Sequence, residues 1–234
     1  MNMHDPNLER VELVATALGP LRDELVFVGG CAAGLLMSDP GATPIRATID
    51  ADDLVARVTA LSQYHKLEEE FMQLGFERDM TADAPICRWT YRGIAVDLMP
   101  TGPNVLGFAN RWYGLALETA QRVSLPSGIA IRLISGPAFI ATKFEAFADR
   151  GQGDLLASHD LEDIVNVIAS RTQILEEVRD SPADLRGYLS VRCRELLAIP
   201  DFSNYLPGLI SDDSSLTLTD EVLERLQVIA KTRG

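Results

Sequence analysis

A short apolar run that ends in two glycines and continues as a helix constrains the fold most. In LVFVGGCAAGLLM, residues 25–37, a β-prone run is followed by Gly29 and Gly30 and then by a segment of helical composition. Glycines between a strand and a helix let backbone N–H groups approach a phosphate, which a helix N-terminus attracts. The segment therefore predicts an α/β fold with a phosphate site at this turn. An ordinary tight turn is the alternative interpretation of the same two glycines.

A second β-prone run, RATIDADDLV at residues 46–55, carries three aspartates. Asp50 and Asp52 alternate, so they would share one face of a strand about 7 Å apart, while Asp53 would face the other side. Asp97 lies in the later run IAVDLMP, where a lone carboxylate is costly unless it is paired or binds a metal. Carboxylates from neighbouring strands suit Mg²⁺ or Mn²⁺ and phosphoryl transfer. The alternative is that the aspartates of the first run protect an exposed sheet edge from aggregation.

Hydrophobic periodicity divides the chain into a mixed α/β half and a helical half. The segments that we expect to be regular are helices over 8–18, 31–37 and 62–76, strands over 25–28, 46–55, 86–91, 94–100 and 129–134, and helices nearly to the C-terminus. The strands over 86–91 and 94–100 would form a hairpin across Arg92 and Gly93. We place a boundary near residue 134. The prediction is a core over 1–134 and a helical region over 135–234 that completes an active-site cleft.

Two charged residues of the helical half fall on apolar helix faces. Lys143 lies in the stripe formed by Phe139, Ile140, Phe144 and Phe147, where an ammonium needs a partner. Asp160 lies at the leading edge of the apolar stripe of the next helix and would be that partner. The alternatives are a lysine whose stem carries its charge out to solvent, and an aspartate that serves as a helix N-cap or first-turn acid.

Composition excludes several classes of protein. Hydrophobic residues make up 47% of the 234 residues, enough for a sizeable core. The longest apolar stretch, residues 27–37, is shorter than the roughly 20 residues that cross a bilayer, so we expect no membrane span. The N-terminus has no basic segment followed by an apolar one, so we expect a cytoplasmic protein. Three scattered cysteines and three histidines favour neither a disulfide framework nor a zinc site.

The net charge of −13 disfavours a general nucleic-acid coat, because phosphate contacts rely on clustered basic residues. The balance reverses between residues 86 and 132, where arginines outnumber the two acids, Asp97 and Glu118. The arginines of this segment are Arg88, Arg92, Arg111, Arg122 and Arg132. A local basic patch is therefore compatible with the acidic total, although that total disfavours RNA as a partner.

The string VGGCAAGLL, then IRATIDADDLV, then a single aspartate on a later strand resembles the nucleotidyltransferase fold of the polymerase-beta superfamily. It particularly resembles the AbiEii-type nucleotidyltransferases, many of which are toxins of bacterial toxin–antitoxin pairs. The likeness covers roughly residues 25–170. It implies a mixed sheet flanked by helices, with Asp50 and Asp52 as the metal-binding pair and Asp97 as the third carboxylate.

The resemblance also implies the residues that bind the nucleotide. Gly29 and Gly30 would receive the triphosphate of an NTP. Cys31 follows them where the family often has Ser or Thr, and a thiol is the poorer hydrogen-bond donor. Arg46 would touch phosphate, although a surface arginine is the alternative.

A lysine, an arginine and an aspartate recur in the resembled family at the distances found in KFEAFADRGQGDLLASHD, as Lys143, Arg150 and Asp160. The implied roles are that Lys143 holds the triphosphate and that Asp160 orients Lys143.

The implied reaction is Mg²⁺-dependent transfer of a nucleoside monophosphate from an NTP to an acceptor hydroxyl, with pyrophosphate as the leaving group. RNA-modifying relatives suggest the 3′ end of tRNA as acceptor, and the toxin relatives suggest a cognate antitoxin as partner. One alternative is a small hydroxylated acceptor, as in antibiotic-modifying nucleotidyltransferases. The other is an inactive nucleotide-binding or interaction protein with the same fold.

Overall fold

The computed structural model describes residues 7–38, 52–150, 155–210 and 216–233. The chain divides into two compact units. The first, which we call the sheet unit, comprises residues 5–34 and 47–135. The second, the helical unit, comprises residues 1–4, 35–46 and 136–234.

The sheet unit alternates short strands with helices. Its elements are α1 (Leu8–Leu18), β1 (Leu25–Val28), α2 (Gly30–Leu36, which continues into the helical unit), β2 (Asp52–Ala56), α3 (Leu61–Gln73), β3 (Glu77–Arg78), β4 (Arg88–Tyr91), β5 (Ile94–Pro100), α4 (Pro103–Leu106), α5 (Tyr113–Glu118), β6 (Gln121–Ser124) and β7 (Ala130–Leu133). The described strands form one seven-stranded sheet in the order β3-β4-β5-β2-β1-β7-β6. β2 runs parallel to β5 and β1 parallel to β7, while the other neighbours are antiparallel. This mixed sheet with helices confirms the predicted fold class.

An apolar row across the centre of the sheet sets the strand register. Phe27 of β1 pairs with Leu54 of β2, which pairs with Leu98 of β5, and all three are buried. Helix α3 contributes Phe71, whose ring centroid lies 5.6 Å from that of Trp89. A slip of one residue would move each of these side chains to the other face of the sheet, so their burial in this arrangement holds the register.

The hairpin predicted between β4 and β5 is confirmed. Arg92 and Gly93 both adopt left-handed backbone conformations, with φ of 49° and 79°. Positive φ at both central residues is the signature of a type I′ turn, whose twist matches the twist of the strands. Arginine rarely adopts this conformation, which explains why the dipeptide is a weak signal in the sequence.

Other elements differ from the predictions in extent. Helix α3 ends at Gln73, three residues before the predicted limit of 76. Strand β2 begins at Asp52, and residues 46–51 of the predicted strand lie outside the described residues. Strand β6 was not predicted, because it is a short polar edge strand with three exposed residues out of four and no apolar alternation.

The helical unit contains the remaining helices. They are α6 (Gly136–Arg150), α7 (His159–Ser170), α8 (Ile174–Asp180), α9 (Ala183–Leu197), α10 (Phe202–Leu209) and α11 (Leu216–Ala230). The N-cap of α7 is Ser158, whose hydroxyl oxygen accepts a hydrogen bond from the backbone N–H of Leu161 at 3.3 Å. None of the helices in the described part of the chain is long and apolar enough to cross a bilayer.

A largely buried ion pair packs against Gly136 at the start of α6. Nε of Arg171 lies 2.5 Å from a carboxylate oxygen of Glu177, and Nη1 of Arg171 donates to the carbonyl of Leu36 at 2.8 Å. A Cβ at Gly136 would lie 2.8 Å from Nε of Arg171, closer than packed atoms tolerate. Only glycine fits there without moving the pair.

Candidate functional site

The backbone brings the glycine turn and the acidic strand to the same end of the sheet. Val28, the last residue of β1, pairs with Asp53 of β2, and Asp53 pairs with Asp97 of β5. Gly29 follows directly, with a φ of 81°, and α2 begins at Gly30. We call Val28, Asp53 and Asp97 the acidic row. It lies within the sheet unit, on three neighbouring strands.

The register relates Asp97 to one particular residue of the acidic strand. The predicted metal set joins Asp97 to Asp50 and Asp52, whereas in the register Asp52 pairs with Val96 and Asp97 pairs with Asp53. The physical reason is the buried apolar row, because pairing Leu54 with Leu98 leaves no other register for the acids. The side chains of Asp52 and Asp53 lie outside the described residues, so the metal role of Asp52 stays a prediction.

Two other predicted site residues also lie outside the described residues. They are Asp50 and Arg46, which precede β2. Their predicted roles in metal and phosphate binding stay predictions. Cys31, in the first turn of α2, is buried, and its predicted contact with phosphate likewise stays a prediction.

Asp97 is held by an arginine. Nε of Arg88 donates to Oδ1 of Asp97 at 2.9 Å, and Nη2 donates to Oδ2 at 2.9 Å. Both side chains are largely buried, with 21% of Arg88 and 13% of Asp97 exposed. The lone carboxylate that the sequence placed among apolar residues is therefore charge-paired.

The sequence analysis assigns Arg88 only to the basic segment and does not predict its contact with Asp97. The predicted hairpin contains the information needed for that prediction. A two-residue turn at Arg92 and Gly93 places Tyr91 opposite Ile94, and counting outward along both strands places Arg88 opposite Asp97.

The donor chemistry of the predicted metal set fits a hard cation. Within residues 7–38, 52–150, 155–210 and 216–233, no group of three or more His, Cys, Asp or Glu residues is close enough to hold a metal. The predicted set depends on Asp50 and Asp52 as well as Asp97. It supplies only carboxylate oxygens, which are the ligands that Mg²⁺ and Mn²⁺ prefer.

A second ionic cluster, which we call the lysine cluster, lies in the helical unit. Nζ of Lys143 lies 2.6 Å from Oδ2 of Asp163 and 3.3 Å from Oδ1 of Asp160. Nη2 of Arg150 lies 3.0 Å from Oδ2 of Asp160. Only 13% of the Lys143 side chain is exposed, so its charge does not extend into solvent. Burial raises the pKa of the Asp163 carboxyl, and Lys143 offsets part of that rise.

The lysine cluster settles two alternatives left open by the sequence. Asp160 is a partner of Lys143 and a first-turn acid, whereas Ser158 is the N-cap. Sequence reasoning missed Asp163, although its spacing of three residues from Asp160 places both on one side of a helix. The predicted roles of Lys143 and Asp160 toward a triphosphate stay predictions.

The arginines of the basic segment contact other groups of the sheet unit. The guanidinium carbons of Arg92 and Arg111 lie 5.5 Å and 4.8 Å from the ring centroids of Tyr91 and Trp112. The remaining contacts are Arg122 to Asp23 at 2.9 Å and Arg132 to the carbonyl of Leu117 at 2.7 Å. Part of the local positive charge is thus compensated within the chain.

No family model and no curated protein matches the chain. Among solved structures, it is similar to an antigenic nucleotidyltransferase-like protein from Paracoccidioides brasiliensis, with 21% identity and a TM-score of 0.52 over 93% of this chain and 100% of that one. The antibiotic-resistance factor ANT(2'')-Ia matches with 17% identity and a TM-score of 0.49 over 83% of this chain and 97% of that one. The first of these likenesses shows the fold. The chain therefore has the nucleotidyltransferase-like fold that its glycine and aspartate motifs predict.

Proposed function

We propose that the protein is a nucleotidyltransferase, which transfers a nucleoside monophosphate from an NTP to an acceptor hydroxyl. The observation that carries the proposal is the acidic row, because it joins the end of β1, the start of β2 and the middle of β5. A glycine turn directly follows that row at Gly29 and Gly30. The likeness in fold to a nucleotidyltransferase-like protein supports the same reaction class.

In the sheet unit, the glycine turn would bind the triphosphate and the aspartates would bind the metal. At Gly29 the absence of a side chain gives a triphosphate access to backbone N–H groups. Asp97 would hold one or two divalent cations together with carboxylates of the acidic strand, either Asp50 and Asp52 as predicted or Asp53, its register partner. A bound Mg²⁺ or Mn²⁺ supplies positive charge to the attacking and leaving oxygens.

The transfer itself is a displacement at the α-phosphorus of the NTP. The acceptor oxygen forms a bond to that phosphorus as the bond to the bridging oxygen of pyrophosphate breaks. A carboxylate of the site, Asp97 in our proposal, takes the proton of the acceptor hydroxyl.

Two acceptor classes follow from the resemblance, and salt distinguishes them. Binding of an RNA 3′ end would weaken steeply as salt rises, because several counterions are released from the phosphates. A small hydroxylated acceptor would show a shallow dependence. If the acceptor is RNA, we also propose a cognate antitoxin as partner, as the resemblance to the AbiEii-type toxins implies.

The test uses each labelled NTP with Mg²⁺, total cellular RNA in one arm and aminoglycosides in the other. We expect label transfer in one arm, reduced by about 100-fold or more in Asp52→Asn, as expected when a charge-stabilising group is lost. Asp53→Asn is assayed in parallel, because Asp53 rather than Asp52 pairs with Asp97. Asp83→Asn, at an exposed position of the sheet unit, is the matched control and should retain activity.

Transfer that survives both Asp52→Asn and Asp53→Asn would remove the metal role of the acidic strand. Binding of NTP without label transfer to either acceptor class would favour the inactive binding protein over the enzyme.

A further inference from the structure

We infer that Arg88 is a positioning residue for Asp97, which holds the carboxylate in the orientation that the reaction needs. The inference rests on the proposed function. Arg88 has no part in the predicted site, and its contact with Asp97 assigns it one.

The contact fixes both the position and the plane of the carboxylate. Each oxygen of Asp97 accepts from a different nitrogen of Arg88, at 2.9 Å in both cases. A bond from one nitrogen would leave the carboxylate free to rotate about its last torsion, whereas two parallel bonds remove that freedom. The two residues also pair directly in the β4–β5 register, so the backbone itself sets their separation.

The surroundings of Asp97 make such a restraint necessary. Its neighbours along β5, Val96 and Leu98, are fully buried, and only 13% of the Asp97 side chain is exposed. A carboxylate without a partner at this depth would turn toward water, because its desolvation is costly. Arg88 keeps the carboxylate at the sheet, beside its register partner Asp53.

The pairing leaves Asp97 able to bind a cation. A carboxylate has about four lone-pair sites, and the guanidinium of Arg88 uses one on each oxygen. Carboxylates that ligate metals are commonly hydrogen-bonded in this way, and their partners tune the affinity for the metal. The pair is therefore compatible with metal binding and would orient one ligand of the site.

A comparison of Arg88→Lys with Arg88→Gln distinguishes a positioning role of Arg88 from simple charge compensation. A lysine at residue 88 would keep the positive charge but would offer a flexible point charge in place of a planar fork. If orientation matters, Arg88→Lys should resemble Arg88→Gln. If only the charge matters, Arg88→Lys should resemble the wild type.

The experiment measures Mn²⁺ binding in the presence of ATP by electron paramagnetic resonance, together with kcat and KM for nucleotidyl transfer, on the full chain. We expect Arg88→Gln to weaken Mn²⁺ binding or lower kcat by about 10- to 100-fold, with KM for the nucleotide little changed. Arg88→Lys should show a loss of similar size. The matched control is Arg179→Gln, which alters an exposed arginine–aspartate pair and should leave both quantities unchanged.

A double variant tests whether Arg88 acts through Asp97. If it does, Arg88→Gln combined with Asp97→Asn should lose no more than Asp97→Asn alone. Losses that multiply would show an independent action of Arg88 and overturn the inference. Circular dichroism and thermal melts of each variant separate these effects from unfolding, and Arg88→Lys serves if Arg88→Gln does not fold.

The outcomes distinguish this inference from the proposed function. Wild-type values in both Arg88 variants, in a protein that binds Mn²⁺ and transfers nucleotides, would overturn the inference and leave the function intact. A wild-type chain that neither binds Mn²⁺ with ATP nor transfers label would overturn both.

Discussion

Both the acidic row and the lysine cluster contain a largely buried carboxylate that is paired with a cation, but the cation and its geometry differ. In the sheet unit one guanidinium serves one carboxylate through two bonds, from Arg88 to Asp97. In the helical unit one ammonium, that of Lys143, serves both Asp160 and Asp163. The two pairings thus use different cations, a planar guanidinium across neighbouring strands and a compact ammonium beside one helix.

Neighbouring strands hold two side chains at a separation that the register fixes, which suits a rigid planar fork. A helix instead presents two acids three residues apart on one side, and a compact point charge can serve both. The lysine cluster recruits Arg150 for Asp160 as well, but that arginine is 72% exposed. Asp163 therefore depends on Lys143, and burial raises its pKa despite that contact.

Removal of Lys143 should have the largest effect on stability. Lys143→Met leaves two largely buried carboxylates without their shared cation, and we expect the free energy of unfolding to fall by about 3 kcal/mol. Urea denaturation at pH 7 measures the change, with Lys231→Met at an exposed position as control. Asp163→Asn added to Lys143→Met should restore part of the loss. A loss below about 1 kcal/mol would mean that the cluster is solvated like a surface pair.

Removal of Arg88 should have a smaller effect, because a single carboxylate loses its partner. We expect Arg88→Gln to lower the free energy of unfolding by about 2 kcal/mol, in the range for hydrogen bonds to charged groups. The exposed pair of Arg179 and Asp180 provides the reference, and Arg179→Gln should change stability by less than about 0.5 kcal/mol. Equal losses in the two variants would remove the distinction between the sheet pair and a surface pair.

The smallest expected effect is a pH dependence at Asp163. Because burial raises its pKa, the folded chain binds more protons than the unfolded chain between the ordinary carboxyl pKa and the raised one. Stability relative to Asp163→Asn should therefore fall as pH rises through that interval. Denaturation curves of both proteins from pH 4 to 7 measure this difference, with Asp180→Asn as the exposed control. A difference that grows with pH would contradict the raised pKa.

Local signals in the sequence predicted most of the secondary structure. The period of apolar residues predicted α1 with its observed limits, and the Arg92–Gly93 turn predicted the β4–β5 hairpin. Strand β6 was not predicted, because an exposed edge strand shows no alternation of apolar and polar residues. At the candidate site, alternation along the acidic strand separates Asp53 from Asp50 and Asp52, but it carries no information on which residue of β2 lies opposite Asp97. The register pairs Asp97 with Asp53.

The amino-acid sequence by itself determined the fold class, the glycine turn and the residue types that a phosphoryl-transfer site needs, because these depend on periodicity and local chemistry. Only the tertiary structure decided how strands and helices distant in the chain meet. The register of β2 on β5, which burial of apolar residues sets, pairs Asp53 with Asp97, and the packing of the helices brought Asp163 to Lys143.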